Sequence, residues 1–274
     1  MLEGERPPAL GRRGALVGLL FLGLALALLH LGFAPGGLRL RAAGWSELGA
    51  FLRAALQPAL DYEGATAPAR AQFFARLGAA VRDTVFFAAA SVALALPFGF
   101  GLGLLGSFAL WGGRRALPSA ARLVAACLRS VHELLWAVLF LAAFGLVPAA
   151  AALALALPYV GILAKVGSEL LDEAPERAEE ALHGLGARRR VAFLVGRLPA
   201  AAADMAGYAF YRFECSLRSA AVLGFFGFPT LGYYIAESAQ HGRYRSLWTH
   251  LWALVLLVLL VEAWGARLRR RFVV

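Results

Sequence analysis

Residues 134–164 read LLWAVLFLAAFGLVPAAAALALALPYVGILA, without one acidic, basic or histidine side chain. Extended to residues 122 and 171 the stretch runs for about 50 residues, too long for one crossing of a bilayer, since about 20 apolar residues span the roughly 30 Å hydrocarbon core. Pro148 marks the break between two spans, because proline cannot donate to a helical ladder and crowds the preceding turn. Residues 84–111, TVFFAAASVALALPFGFGLGLLGSFALW, form a second uncharged block. A backbone in lipid must satisfy its own hydrogen bonds, so both blocks are predicted to be helical. No ten-residue alternation of the kind a barrel needs is present.

Outward from these blocks, the same reading places spans at 14–33, 84–108, 122–146, 149–171, 200–222 and 247–265. The fold class expected is all-α, a polytopic membrane protein of about six transmembrane helices. Two regions follow. Residues 1–83 hold an N-terminal tail, the first span and an external segment with an amphipathic helix at 46–60. Residues 84–274 hold a five-helix core with a hydrophilic loop at 172–199. The whole composition agrees: 61% of the 274 residues are hydrophobic and 16% charged, against roughly 25% charged in a soluble domain, and the mean hydropathy is +0.68. The net charge of +10 comes from arginines beside apolar spans, with Lys165 the only lysine; positive-inside topology explains this more simply than nucleic-acid binding. Arg114, Arg115 and Arg122 fall in one turn, Arg188 to Arg190 and Arg197 in the 172–199 loop, and Arg267 and Arg269 to Arg271 in the tail. Six spans put these and both termini on the cytoplasmic side of the membrane. The run after Arg12 and Arg13 is longer than a signal-peptide core, and is read as an uncleaved first span. Cys127 and Cys215 have neither metal-like nor disulfide spacing.

The 172–199 loop is the most informative polar segment. Within it, 175–199 reads PERAEEALHGLGARRRVAFLVGRLP. Pro175 suits a first helical turn, Glu176, Glu179 and Glu180 favour its positive end, and Gly186 stops it. Ala178, Ala181, Leu182 and Leu185 recur at helical spacing. On periodicity alone this is either a helix that fits a partner's groove or a connector lying on the lipid surface.

Glu180, Ala181, Leu182, then Gly186, then Leu198 and Pro199 fall at the spacing of the loop found in ATP-binding-cassette import permeases, which the chain resembles. Leu182 stands where the family has a second alanine, and Gly196 where it has isoleucine. The resemblance implies a coupling helix that docks on a separate ATPase, with Gly196 weakening the packing at its position. It extends over residues 77–271: Arg129 to Trp136 and Tyr211 to Arg218, with Leu223-Gly224, are similar to phosphonate-type permeases. The chain differs in having Ser216 for asparagine, and Gly227-Phe228-Pro229-Thr230-Leu231-Gly232 for a glycine-rich turn. The implied function is import of a small oxyanion, phosphonate, phosphite or phosphate. An external binding protein would deliver it, through a homodimer embedded in membrane lipid.

Charges inside a span are costly and should face protein or water. Arg212, Glu214, Ser216 and Arg218 in the span 200–222 are therefore the candidate translocation pathway. Glu214 and Arg218 are four apart and can form a structural ion pair, or Arg218 can attract the anion. Arg129 with Glu133, and Lys165 with Glu169, repeat the spacing. No Gly-Lys-Ser/Thr nucleotide loop exists around Lys165, so no catalysis and no cofactor is expected in this chain, with ATP and magnesium held by the partner. The rival readings are an ion-coupled carrier using Glu214, and a membrane scaffold that transports nothing.

Overall fold

The computed structural model describes residues 12–31, 42–63 and 69–272. The chain divides into two compact units, Met1–Arg53 and Ala54–Val274. The first contains α1 (Arg12–His30) and the start of α2 (Ala42–Leu56). Leucines and Phe21 on every side of α1 are exposed, the pattern of a helix whose surroundings are as apolar as itself.

The second unit holds α3 (Arg70–Gly106), α4 (Phe108–Trp111), α5 (Ala116–Ser130), α6 (Glu133–Phe144), α7 (Pro148–Glu173), α8 (Arg177–Gly184), α9 (Arg189–Ala192), α10 (Leu198–Val222), α11 (Leu231–Gln240) and α12 (Tyr244–Phe272). Among the described residues there is no strand. Three helices are long and apolar enough to cross a membrane alone: α3, α7 and α12. The count rises to five if two bent pairs each form one span, and the apolar part of α1, Gly14–His30, is shorter.

The bundle is built on α3 against α7. Three glycines on α3 let the backbones close: a Cβ on Gly99 would lie 2.6 Å from Leu163 Cβ, one on Gly103 3.2 Å from the Ala164 carbonyl, and one on Gly106 3.3 Å from Ser168 Cβ. Small residues at such spacing hold membrane helices together because lipid tails provide no hydrophobic drive between them. The core around this seam contains Ala88, Val92, Leu155, Tyr159, Leu163, Leu217 and Phe228.

Three expectations change in detail. The span read at 122–146 is two helices, α5 and α6, bent by 80°. Val131 and His132 are extended (ψ 124° and 143°), and the His132 ring accepts from Leu134 N to start α6. Hydrophobicity alone does not register such a break, because both halves are equally apolar. The first core helix begins well before residue 84, and α3 runs unbroken from Arg70. The stretch between the spans read at 200–222 and 247–265 contains α11, set 47° from the helix before it.

The altered turn 227–232 is a packed corner. Phe228 is buried, edge-on to Phe87 at 5.3 Å, and Thr230 Oγ1 donates to the Ala221 carbonyl at 3.1 Å. Gly232 is indispensable there, since a Cβ would collide with the Ala221 carbonyl oxygen. Gly232→Ala is therefore expected to destabilise the fold by about 1–3 kcal/mol, the usual cost of overpacking. Detergent melting curves check this, and an unshifted midpoint counts against the close contact.

Candidate functional site

The connection between α7 and α10 is assembled from short pieces. Helix α8 has eight residues, too few to hold its shape alone in water, and it is supported from one side. Glu179 points inward and is buried, Leu182 is half-buried, and Ala178, Ala181 and Leu185 lie exposed on the opposite face. Leu185 is 85% exposed. Glu180 is also exposed. The helix ends at Gly186, whose φ of +86° is left-handed. Gly186 N bonds to the His183 carbonyl at 2.9 Å and Ala187 N to the Leu182 carbonyl at 3.0 Å. Glycine fits because a Cβ makes that conformation costly.

What supports α8 is a π-turn, Phe193–Arg197, leading into α10, with Pro199 in the first turn of α10. Gly196 is buried against α8: a Cβ there would lie 2.9 Å from Glu179 N and 3.0 Å from the Ala178 carbonyl carbon. Its replacement of isoleucine thus tightens the contact instead of weakening it, because only glycine admits this backbone approach. Arg197, 4% exposed, fills the rest. It reaches the Glu176 carboxylate at 2.6 Å and the Ala174 carbonyl at 3.2 Å. Its Nη1 stands 3.3 Å from Glu179 Oε2, as an ion contact. Leu198 packs with Leu171 and Phe193, and Pro199 is exposed.

A second anchor lies at the end of α7. Asp172 accepts from Ser107 Oγ (2.7 Å), Phe108 N (3.2 Å), Ala109 N (3.1 Å) and Arg122 Nη2 (2.7 Å). One carboxylate thus joins the start of α4 to α5 and α7. The sequence shows Asp172, Arg122 and Arg197 only as loop charges; their partners lie 16 to 65 positions away, so no local pattern reveals them.

The second site is on α10. Tyr208, Arg212, Cys215 and Ser219, spaced i, i+4, i+7 and i+11, share one face. Arg212 sits 4.6 Å over the ring of Tyr159 on α7, and Ser219 donates to Glu133 of α6 at 2.5 Å. Lys165 and Glu169 pair on α7 at 2.7 Å, both more than one-third exposed. Of the candidate pathway residues, Arg212 and Arg218 stand on or beside this stripe. Arg218 is exposed and touches Cys215 Sγ at 3.5 Å. Glu214 is half-buried, and no ion pair joins it to Arg218. Ser216 faces inward, fully buried, with its hydroxyl 2.6 Å from the Phe213 carbonyl and 3.4 Å from the Ala88 carbonyl of α3. Arg129 and Glu133 form no ion pair either, since the break at 131–132 destroys the helical spacing between them. Nothing in the sequence marks Tyr159 and Ser219 apart from core residues, and Glu133 is read there only as a pair with Arg129.

An apolar bundle of helices with a half-buried polar stripe along one of its spans fits a membrane transport protein. The chain belongs to the family of binding-protein-dependent transport system inner membrane components, whose model matches residues 92–274. It is thus the permease subunit of an ATP-binding-cassette importer, non-enzymatic, multi-pass in the membrane, and working with ATPase and substrate-binding partners. It is similar to the phosphite transport system permease protein PtxC of Stutzerimonas stutzeri, 29% identical over 195 residues covering 69% of each chain. The putative phosphite transport system permease protein HtxE of the same organism is 30% identical over 155 residues, 57% of this chain and 59% of that one. The phosphate-import permease protein PhnE of Mycolicibacterium smegmatis is 29% identical over 158 residues, 58% of this chain and 30% of its own. The fold matches the MetNI methionine ABC transporter in an inward-facing conformation with a TM-score of 0.66, at 20% identity over 74% of this chain and 99% of that one.

Proposed function

We propose that this permease imports a phosphorus oxyanion, phosphite, phosphonate or phosphate, delivered by an external binding protein. Two cytoplasmic ATPases drive two copies of the chain. Helix α8 is the coupling element, and its exposed Ala178, Ala181 and Leu185 enter a groove of the ATPase, which holds the ATP and magnesium. Glu180, Gly186, Leu198 and Pro199 shape that element and its exit into α10. The arginine clusters at 114–122, 188–197 and 267–271 support a cytoplasmic location for α8 and both termini.

The observation that carries this reading is the polar stripe of α10. Arg212, Cys215, Arg218 and Ser219 lie within a membrane helix, where charge against lipid costs at least about 3 kcal/mol. Facing a second copy across an aqueous path removes that cost and lines the path with cations. The relatives named for phosphite and phosphate import supply the substrate class.

Reconstituted with its ATPase and binding protein, the chain is expected to show oxyanion-stimulated ATP hydrolysis and uptake of phosphite or phosphate. Absence of both rejects the reading. The stripe has its own check. With Cys127 replaced by alanine, Cys215 is expected to react with a charged, water-soluble thiol reagent in one nucleotide state and to be protected in the other. A Cys215 inert in every state contradicts a water-lined stripe.

A further inference from the structure

The break between α5 and α6 places a helix start among apolar spans, and polar side chains from three helices meet beside it. Glu133, the first residue of α6, accepts from Ser219 Oγ of α10. Tyr159 of α7 lies within electrostatic reach of Glu133, Ser219 and Arg212. Its hydroxyl is buried beside the Ser219 side chain with no partner within hydrogen-bond distance, and Arg212 Nε is likewise buried and unpartnered. Tyr159 as a whole is 0% exposed. Buried donors are nearly always satisfied in native proteins, so two unfilled donors in one cluster indicate a missing acceptor. A helix N-terminus inside a membrane adds partial positive charge of the kind that holds anionic groups in transport proteins.

One group in the cluster has the opposite chemistry. An ionised Glu133 can only accept, and it would repel a fully ionised ligand. We propose that Glu133, Ser219, Tyr159 and Arg212 form an intramembrane recognition site for an oxyanion that still carries a proton. Glu133 accepts the ligand's O–H, while Tyr159 and Arg212 donate to its other oxygens. Ser219 holds the carboxylate in the free protein and can turn its hydroxyl to the ligand. This inference rests on the oxyanion-import reading and adds the protonation state selected. Phosphate monoesters lose their second proton at about pH 6, and free phosphate and phosphonates, which are less acidic, keep an O–H on a larger fraction under physiological conditions. Sulfate and sulfonates bring none and would set a like charge against Glu133, which is discrimination by repulsion.

The test uses the permease–ATPase complex in nanodiscs, without the binding protein, and radiolabelled inorganic phosphate at mildly acidic pH. Methylphosphonate and methanesulfonate compete; as monoanions they match in shape and charge, and only the phosphonate carries an O–H. Methylphosphonate is expected to compete about tenfold better or more, because a site built around a ligand hydroxyl rejects the analogue lacking it. Glu133→Gln is expected to bring the two within about threefold, and Glu133→Asp to retain the preference. Equal competition in the wild type, no phosphate binding by a complex that imports phosphate, or a wild-type ratio in Glu133→Gln overturns the site. Should that variant fail to assemble, the wild-type competition alone decides. Failure of the complete transporter to import any phosphorus oxyanion instead overturns the reading beneath it.

Discussion

Arg197→Met is expected to uncouple the transporter and to lower its melting temperature. Arg197 is buried and ties its own turn to two elements: the end of α7 through the Ala174 and Asp172 carbonyls, and α8 through Glu176 and Glu179. Removing one partner of a buried ion pair costs about 3–5 kcal/mol, because the other charge is left in a poor solvent for it. Here Glu179 is the stranded group, 6% exposed; Glu176 reaches water and loses little. Helix α8 would then lose its charged tie to the end of α7 and keep its backbone contact with Gly196. Any push on α8 would bend the connection instead of moving α10. The double variant Arg197→Met, Glu179→Gln separates the two effects. Removing both charges is often neutral for stability, so melting should recover, while oxyanion transported per ATP hydrolysed stays low. Arg197→Lys is expected to fall between, since an ammonium cannot reproduce the planar fork. Wild-type melting and wild-type coupling in Arg197→Met would show that α8 is held by something else.

The same cluster shows what the sequence could and could not reveal. The apolar blocks announce helices because the bilayer demands one length and one backbone solution, and α7 and α10 begin within two residues of where the pattern puts them. The end of α8 is legible because Gly186 obeys a local rule about left-handed backbone. The break at Val131–His132 is not legible, because it changes direction without changing polarity. Nor are the partners of Asp172, Arg197 or Tyr159, which are fixed by helices meeting across the bundle. Ser216 illustrates the limit: chain position alone placed it with Arg212 and Arg218, yet it falls on the face turned to α3 and is consumed by backbone carbonyls. Arginine and glutamate four apart invite pairing on paper, but Arg218 and Glu214 leave each other free. A helix face decides what a polar residue does, and the face is known only once the neighbours are placed.

Leu185→Glu is expected to abolish uptake while leaving the permease folded. Leu185 is 85% exposed at the tip of α8, and a large apolar side chain in water gains nothing for this chain alone. Replacing it removes no internal contact, so a surface substitution of this kind should change stability by no more than about 0.5 kcal/mol. Against a partner the balance reverses. Burying a leucine side chain gains about 1.5–3 kcal/mol, and a carboxylate in the same pocket loses that and adds the cost of an unpaired buried charge. Affinity for the ATPase should fall by a factor of about 100 or more, at 1.4 kcal/mol per tenfold, and ATP hydrolysis should no longer respond to the oxyanion. Gly186→Glu is a poorer test, because strain at φ +86° would be mixed with the added charge. Leu185→Met, which keeps volume and polarity, is expected to transport normally. Copurification of the ATPase with each variant reads the docking, and melting of the permease reads the fold. Full ATPase recovery with Leu185→Glu would mean that the exposed face of α8 meets lipid or solvent, and that the drive enters the bundle elsewhere.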